Sequence, residues 1–259
     1  AGALHLGLHA PQALDFLLIN EEQVLLLRNR ASQATMQLVS PLPAKVNNFD
    51  AIRPKLEQKT NDFQLKEDWS LVPQAYAEGS YGNANSYIAV DFNSGQILAD
   101  NNAQQSVPIA SLTKIMTAVV ALDLASPGEQ FTVSQHAADQ IPTKIGVVTG
   151  QKMTLDELLH ASLMTSANDA TVVIQEGIDS RYGEGIFIQA MNAKAQFLGL
   201  KNTHFDNPAG FDGPTHYSSA ADLAILSHYA LASYPEIADI AKQDYAFLPA
   251  SAEHKQFDL

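Results

Sequence analysis

Four polar residues in two short clusters carry the chemistry legible in this 259-residue chain. Ser111-Leu112-Thr113-Lys114 is an S-x-x-K tetrad that opens an apolar stretch running to Leu124. Residues three apart on a helix share a face, one turn apart, so the Lys114 amine falls within reach of the Ser111 hydroxyl. A serine hydroxyl is a weak nucleophile until a base takes its proton. A lysine serves as that base when burial disfavours its charged form. The start of the same helix offers backbone N–H groups to a developing oxyanion. Taken alone the tetrad is weak: roughly one is expected by chance in a chain of this length. An N-capping serine beside a solvated lysine is the simpler account of it.

Ser166-Ala167-Asn168 is an S-x-N triplet between a helix expected to end near Met164 and one expected to begin near Asp169. A tight turn there aims both side chains the same way. The hydroxyl can relay a proton to a leaving amine, and the carboxamide can bind a substrate carbonyl. Ser and Asn also favour helix caps, so this triplet alone is weak as well.

In order, with a helical block between them, the two clusters resemble the signature of penicillin-binding proteins and serine β-lactamases. The flanking residues narrow the resemblance to low-molecular-mass D-alanyl-D-alanine carboxypeptidases. Pro108 to Thr117 (PIASLTKIMT) looks like their nucleophile helix, and Thr165 to Ala170 (TSANDA) like their second motif. Leu198 to Phe205, Asn207 to Phe211 and His216 to Ala220 resemble further stretches of the family, and Tyr87 to Ala99 resembles its opening hairpin. The likeness is continuous from about Ser86 to Leu248.

The resemblance implies an α+β chain of the β-lactamase/D,D-peptidase type, a helical block beside an antiparallel sheet. It implies that Ser111 attacks the penultimate D-alanine of a peptidoglycan stem peptide ending in D-Ala-D-Ala. Lys114 then takes the proton, Ser166 delivers one to the departing D-alanine, and Asn168 orients Lys114 and binds the substrate amide. β-Lactams would acylate Ser111 as inhibitors, and no metal or other cofactor is called for. The substrate places the enzyme outside the cytoplasmic membrane, in the periplasm or at the cell surface, with any membrane anchor in segments outside this chain. Three alternatives remain open: a D,D-endopeptidase of the same family, a β-lactamase, and a wall-binding homologue whose catalysis has decayed. Glu176 and Glu184 do not match the context of a deacylating glutamate, which disfavours the β-lactamase.

The family's third motif, K-T-G, is missing. Lys144-Ile145-Gly146 precedes Ser166, and the lysines after Ser219, Lys242 and Lys255, are not followed by Thr/Ser-Gly. The expectation is therefore a fragment that ends shortly before that strand, with an incomplete sheet.

The elements that must position these residues follow from periodicity and punctuation. Tyr87–Phe92 and Gln96–Ala99 around Asn93-Ser94-Gly95 read as a hairpin. Leu112 to Leu124 is apolar on nearly every face, which predicts a buried helix stopped by Pro127-Gly128. Thr154-Leu155-Asp156-Glu157 is a capping box that starts the next helix. Further helices are expected over about 169–176, 183–198 with Gly199 beyond its end, and 219–233, the last capped by Ser219 and Asp222.

Residues 1–82 read as an extension of uncertain structure, and 83–259 as the peptidase-like domain. No apolar run near the start approaches the roughly 20 residues that span a bilayer. Ala75-Tyr76-Ala77 looks like a leader-cleavage site, but the charged Lys66-Glu67-Asp68 upstream excludes that reading. His5 and His9 are four apart, yet Gly7 and Pro11 oppose a helix and no third ligand is near. His204, Asp206 and His216 suggest a zinc site less well than they suggest structural residues of the serine family. The net charge of −13 argues against a nucleic-acid partner, which requires a basic surface. The lack of cysteine excludes disulfides and thiolate chemistry.

Overall fold

The computed structural model describes residues 49–67 and 84–259 in full, together with the backbone of four strands within the first 46 residues. The chain divides into two compact units, Ala1–Val46 and Asn47–Leu259. In the first, β1 (Ala3–Leu4), β2 (Phe16–Asn20), β3 (Gln23–Leu26) and β4 (Gln37–Val39) form one antiparallel sheet in chain order. The division expected at 82/83, the Ala75-Tyr76-Ala77 site, and His5 and His9 lie outside the described residues.

The second unit begins with α1 (Phe49–Leu56), whose Ile52 and Leu56 are buried in its core. The segment behind α1 stays attached to the same unit. The Phe63 ring stacks on His228 with centroids 3.7 Å apart. Lys66 hydrogen-bonds along the hairpin, its N–H donating to Gly95 O at 2.8 Å and its carbonyl accepting from Ile97 N at 3.0 Å. That hairpin is β5 (Tyr87–Val90) and β6 (Ile97–Asn101). Further strands for it were expected from either the first eighty residues or beyond the chain. The first 46 residues keep their strands in a sheet of their own, so β5 and β6 remain a pair supplemented by the Lys66 bridge.

A 3-10 turn, Ala110–Leu112, leads into α2 (Thr113–Leu124). β7 (Gln130–Thr132), α3 (Gln135–Ala138) and β8 (Lys152–Thr154) follow, with β7 and β8 paired antiparallel. Then come α4 (Leu155–Met164), α5 (Asn168–Tyr182), α6 (Ile186–Phe197), α7 (Ala220–Ser233) and α8 (Pro235–Ile240). A last hairpin joins β9 (Phe247–Leu248) to β10 (Phe257–Asp258).

Most of these boundaries obey local chemistry. The Thr154/Glu157 capping box forms with both reciprocal bonds. Gly199, at φ +72°, ends α6 with the two bonds of a Schellman motif, Gly199 N to Gln196 O and Leu200 N to Ala195 O. Pro235, expected only to lie past a helix end, instead occupies the first turn of α8, where its missing N–H costs nothing. α5 extends six residues past its expected end at Glu176, because Ile178 still packs into the core. The sequence reading missed β7 and β8, which are only three residues each.

α2 is the axis of this unit. It touches α1, α4, α5, α6 and α7, which explains why its apolar residues face every direction. It also carries a buried charge. Asp123 Oδ2 lies 2.7 Å from Lys194 Nζ of α6. Lys194 donates further to the Leu56 carbonyl and to the Tyr229 hydroxyl, and Tyr234 OH donates to Asp123 Oδ1 at 2.7 Å. Burial pushes the Asp123 carboxyl above its ordinary range, and Lys194 opposes that shift. The network ties α1, α2, α6 and α7 together at the end of α2 away from Ser111.

Candidate active site

Ser111 sits in the 3-10 turn before α2, exposed at a cleft of about 420 Å³ lined in part by Ile109, Ile115, Leu163 and Ser166. The residue before it, Ala110, has φ +45°. A non-glycine residue in that region stores on the order of 1–3 kcal/mol, which the surroundings must hold in place. Two contacts do so at the Ala110 carbonyl. Thr113 Oγ1 donates to it at 2.8 Å. Gly210, at φ +92°, packs so closely that a β-carbon there would lie 1.9 Å from the same oxygen.

Lys114 follows one turn later and is 3 % exposed. Its Nζ lies 3.0 Å from Ser111 Oγ, 2.9 Å from Asn168 Oδ1 and 2.6 Å from the Ala209 carbonyl. Burial pulls its pKa down from 10.5 to about 8. Two of its three partners, the amide oxygen and the backbone carbonyl, can only accept. When the amine is neutral its two N–H groups therefore go to Asn168 and Ala209. Its lone pair is left facing Ser111, the one partner with a proton to give.

The S-x-N triplet occupies the turn between α4 and α5, with Ser166 at φ +59°. That conformation brings Ser166 Oγ to 2.9 Å from Ser111 Oγ. Asn168 begins α5, and its carboxamide faces both ways: Oδ1 accepts from Lys114, while Nδ2 donates to Ile141 O at 3.2 Å. Its backbone N–H donates to Thr143 O at 2.7 Å. Asp169, fully buried, accepts from the backbone N–H groups of Ile145, Gly146 and Val147. Consecutive residues of the second motif thus pin the wall formed by residues 141–147. Lys144-Ile145-Gly146 belongs to that wall, with Lys144 Nζ donating to Ala138 O at 3.1 Å.

The 207–217 stretch closes the far side. Asn207 Oδ1 accepts from Ala209 N, Gly210 N and Phe211 N, folding the turn that aims the Ala209 carbonyl at Lys114. Thr117 Oγ1 donates to Pro208 O at 2.7 Å and fastens the turn to α2. His216 is buried, its Nε2 2.7 Å from Thr113 Oγ1.

The structure thus brings Ser111, Lys114, Ser166 and Asn168 into one hydrogen-bonded cluster, the four residues singled out from sequence. The supporting residues Thr113, Asp169, Asn207, Ala209 and Gly210 received no role there. Thr113 and Asp169 lie inside the two motifs and Asn207, Ala209 and Gly210 in the Asn-Pro-Ala-Gly turn, but the long contacts of Thr113, Ala209 and Gly210 reach residues about 95 to 103 positions away. No group of three His, Asp or Glu able to hold a metal occurs among the described residues. Glu176 bonds His136 at 2.8 Å, away from the cleft.

A hydroxyl, a depressed lysine amine as its base, a second hydroxyl and a pre-aimed carboxamide make a site for acyl transfer through a serine ester. Residues 74–256 match the model of the D-alanyl-D-alanine carboxypeptidase family. D-alanyl-D-alanine carboxypeptidase DacF of Bacillus subtilis is 36% identical over 149 residues, covering 56% of this chain and 38% of the relative. DacB2 of Mycobacterium tuberculosis is 34% identical over 176 residues, covering 65% of this chain and 57% of the relative. The chain therefore spans only part of the curated relatives it matches. A solved D-alanyl-D-alanine carboxypeptidase from Mycobacterium tuberculosis superposes with a TM-score of 0.63 at 30% identity, over 72% of this chain and 70% of that one. A Streptomyces K15 DD-transpeptidase mutant superposes at 0.61 with 25% identity, over 67% of this chain and 73% of that one. With a family match over most of its length and the family's α+β fold, this chain belongs to the D-alanyl-D-alanine carboxypeptidase family.

Proposed function

We propose that the protein is a serine-type D,D-carboxypeptidase that removes the terminal D-alanine from peptidoglycan stem peptides. The observation that carries this reading is the Lys114 amine, buried, depressed to about 8 and 3.0 Å from the Ser111 hydroxyl. Ser111 Oγ forms a bond to the carbonyl carbon of the penultimate D-alanine as its proton passes to neutral Lys114. The tetrahedral intermediate collapses by breaking the C–N bond. The departing amine takes a proton through Ser166 Oγ, which lies 2.9 Å from the nucleophile. Water then adds to the ester, and the same groups return the proton to Ser111. Asn168 holds Lys114 and presents its carboxamide to the substrate amide. A β-lactam follows the first half of this path and remains on Ser111. The substrate class places the activity outside the cytoplasmic membrane. Among the described residues no helix is long and apolar enough to cross one.

The direct test is a fluorescent penicillin incubated with the longest form of the protein, beside its Ser111→Ala variant. A covalent adduct lost in the variant, together with release of D-alanine from a stem peptide ending in D-Ala-D-Ala, is the expected result. A wild-type protein that carries all three motifs and takes no label overturns the reading.

A further inference from the structure

A single hydrogen-bonded chain runs from the 205–217 stretch to the backbone of the nucleophile. Asp206 N donates to His216 Nδ1 at 3.1 Å. His216 Nε2 lies 2.7 Å from Thr113 Oγ1, and Thr113 Oγ1 lies 2.8 Å from the Ala110 carbonyl. The two ends fix the polarity of everything between them. A backbone N–H can only donate and a carbonyl can only accept. Nδ1 must therefore be the bare nitrogen, Nε2 must carry the hydrogen, and the threonine hydroxyl must pass its own on to Ala110. The last acceptor belongs to the left-handed residue directly before Ser111.

We infer that His216, as the neutral Nε2–H tautomer, is a positioning residue that sets the Ser111 turn through Thr113. This rests on the peptidase reading and adds to it a residue that never touches substrate. Protonation of His216 would put a hydrogen on Nδ1 facing the Asp206 N–H, donor against donor, and release one end of the chain. Burial holds its pKa below the ordinary 6.5. The charged groups around the ring are Asp206 and Asp212, which favour protonation, and His204, which opposes it. On α2 the next residue after Thr113 is Lys114. Asp206 is itself engaged by Thr215 Oγ1 at 2.8 Å and lies 3.3 Å from His204.

The test pairs nitrogen NMR of the histidine rings with the rate of penicillin acylation, in wild type, Thr113→Val, Thr113→Ser and His216→Gln. The expected spectrum shows His216 as Nε2–H and still neutral where free histidines are half protonated, at about pH 6.5. Thr113→Val, which keeps the shape and deletes the hydroxyl, should slow acylation roughly 10- to 100-fold. Thr113→Ser should restore most of that rate. The Thr113→Val/His216→Gln double variant should lose little more than Thr113→Val, because both break one chain. In wild type, protonating His216 should steepen the fall in rate with acid beyond the slope set by Lys114, and Thr113→Val should lack that extra step. An Nδ1–H tautomer, or Thr113→Val acylating at the wild-type rate, overturns the inference. Should Thr113→Val fail to fold, the tautomer and the wild-type pH profile decide it. If a wild-type protein with all three motifs takes no label, yet titrating His216 shifts the Ser111 amide resonance, the peptidase reading falls and the positioning role stands.

Discussion

Asn168 Oδ1 accepts a hydrogen bond from Lys114 Nζ at 2.9 Å, so the first residue of α5 fixes where the amine on α2 can point. Replacing that oxygen by a carboxylate keeps its position and adds a charge. Asn168→Asp should favour the ammonium form and move the midpoint of the acylation rate–pH profile above about 8. Asn168→Ala should slow acylation without moving the midpoint upward. An Asn168→Asp profile that coincides with wild type would show that the two side chains do not meet in solution.

Lys114 must be neutral to accept a proton. In the wild type, acylation by penicillin should therefore rise about tenfold per pH unit below about 8, more steeply only where His216 is also protonated, and level off above it. Lys114→Met should cost about 10²–10⁴ in the plateau rate above about pH 8, and its profile should lose the rise set by the amine. Lys114→Arg should do no better, because a guanidinium does not give up its proton in this range. Stopped-flow acylation from pH 5 to 10 measures all three.

Gly210 approaches the nucleophile turn so closely that Gly210→Ala would force a β-carbon to within 1.9 Å of Ala110 O. Its φ of +92° adds strain for any side chain. The variant should lose about 1–3 kcal/mol of stability. It should also lose roughly 100-fold in acylation rate as Ser111 shifts. Thermal unfolding and penicillin labelling of the same sample separate the two effects.

The Asp123–Lys194 pair is far from Ser111 and should act on stability alone. Lys194→Met leaves a buried carboxylate without its cation and should cost about 3–5 kcal/mol in urea unfolding. Replacing both, as Asp123→Leu/Lys194→Met, should cost clearly less than Lys194→Met alone. A double variant that loses the sum of the Asp123→Leu and Lys194→Met losses would mean that the partners act independently.

Ser162 lines the cleft yet is only 1 % exposed, and its hydroxyl has no hydrogen-bond partner. Removing an unpaired buried hydroxyl relieves its desolvation cost, so Ser162→Ala should raise stability by about 1 kcal/mol. A loss of similar size would show that the hydroxyl is satisfied in solution.

The site itself was legible from residue types in order, because S-x-x-K on a helix and S-x-N at a turn need only local geometry to present their side chains. Helix starts were legible for the same reason: Thr154 with Glu157, and Ser219 with Asp222, are contacts within one turn. The course of residues 49–66 was not. Their polar composition reads as an extension, and only the burial of Ile52 and Leu56 and the stacking of Phe63 on His228 make them part of the second unit.

The sequence by itself determined the helical block, its caps and the pairing of Ser111 with Lys114, since each depends on neighbours within a few residues. Only the tertiary structure decided that the Lys114 amine is depressed and that its lone pair faces Ser111. A pKa is set by burial, and a lone pair by the partners around it. Those partners, Asn168 and Ala209, stand 54 and 95 residues away from Lys114. The same holds for the Ala110 carbonyl, whose restraint comes from His216 and Gly210 across the fold.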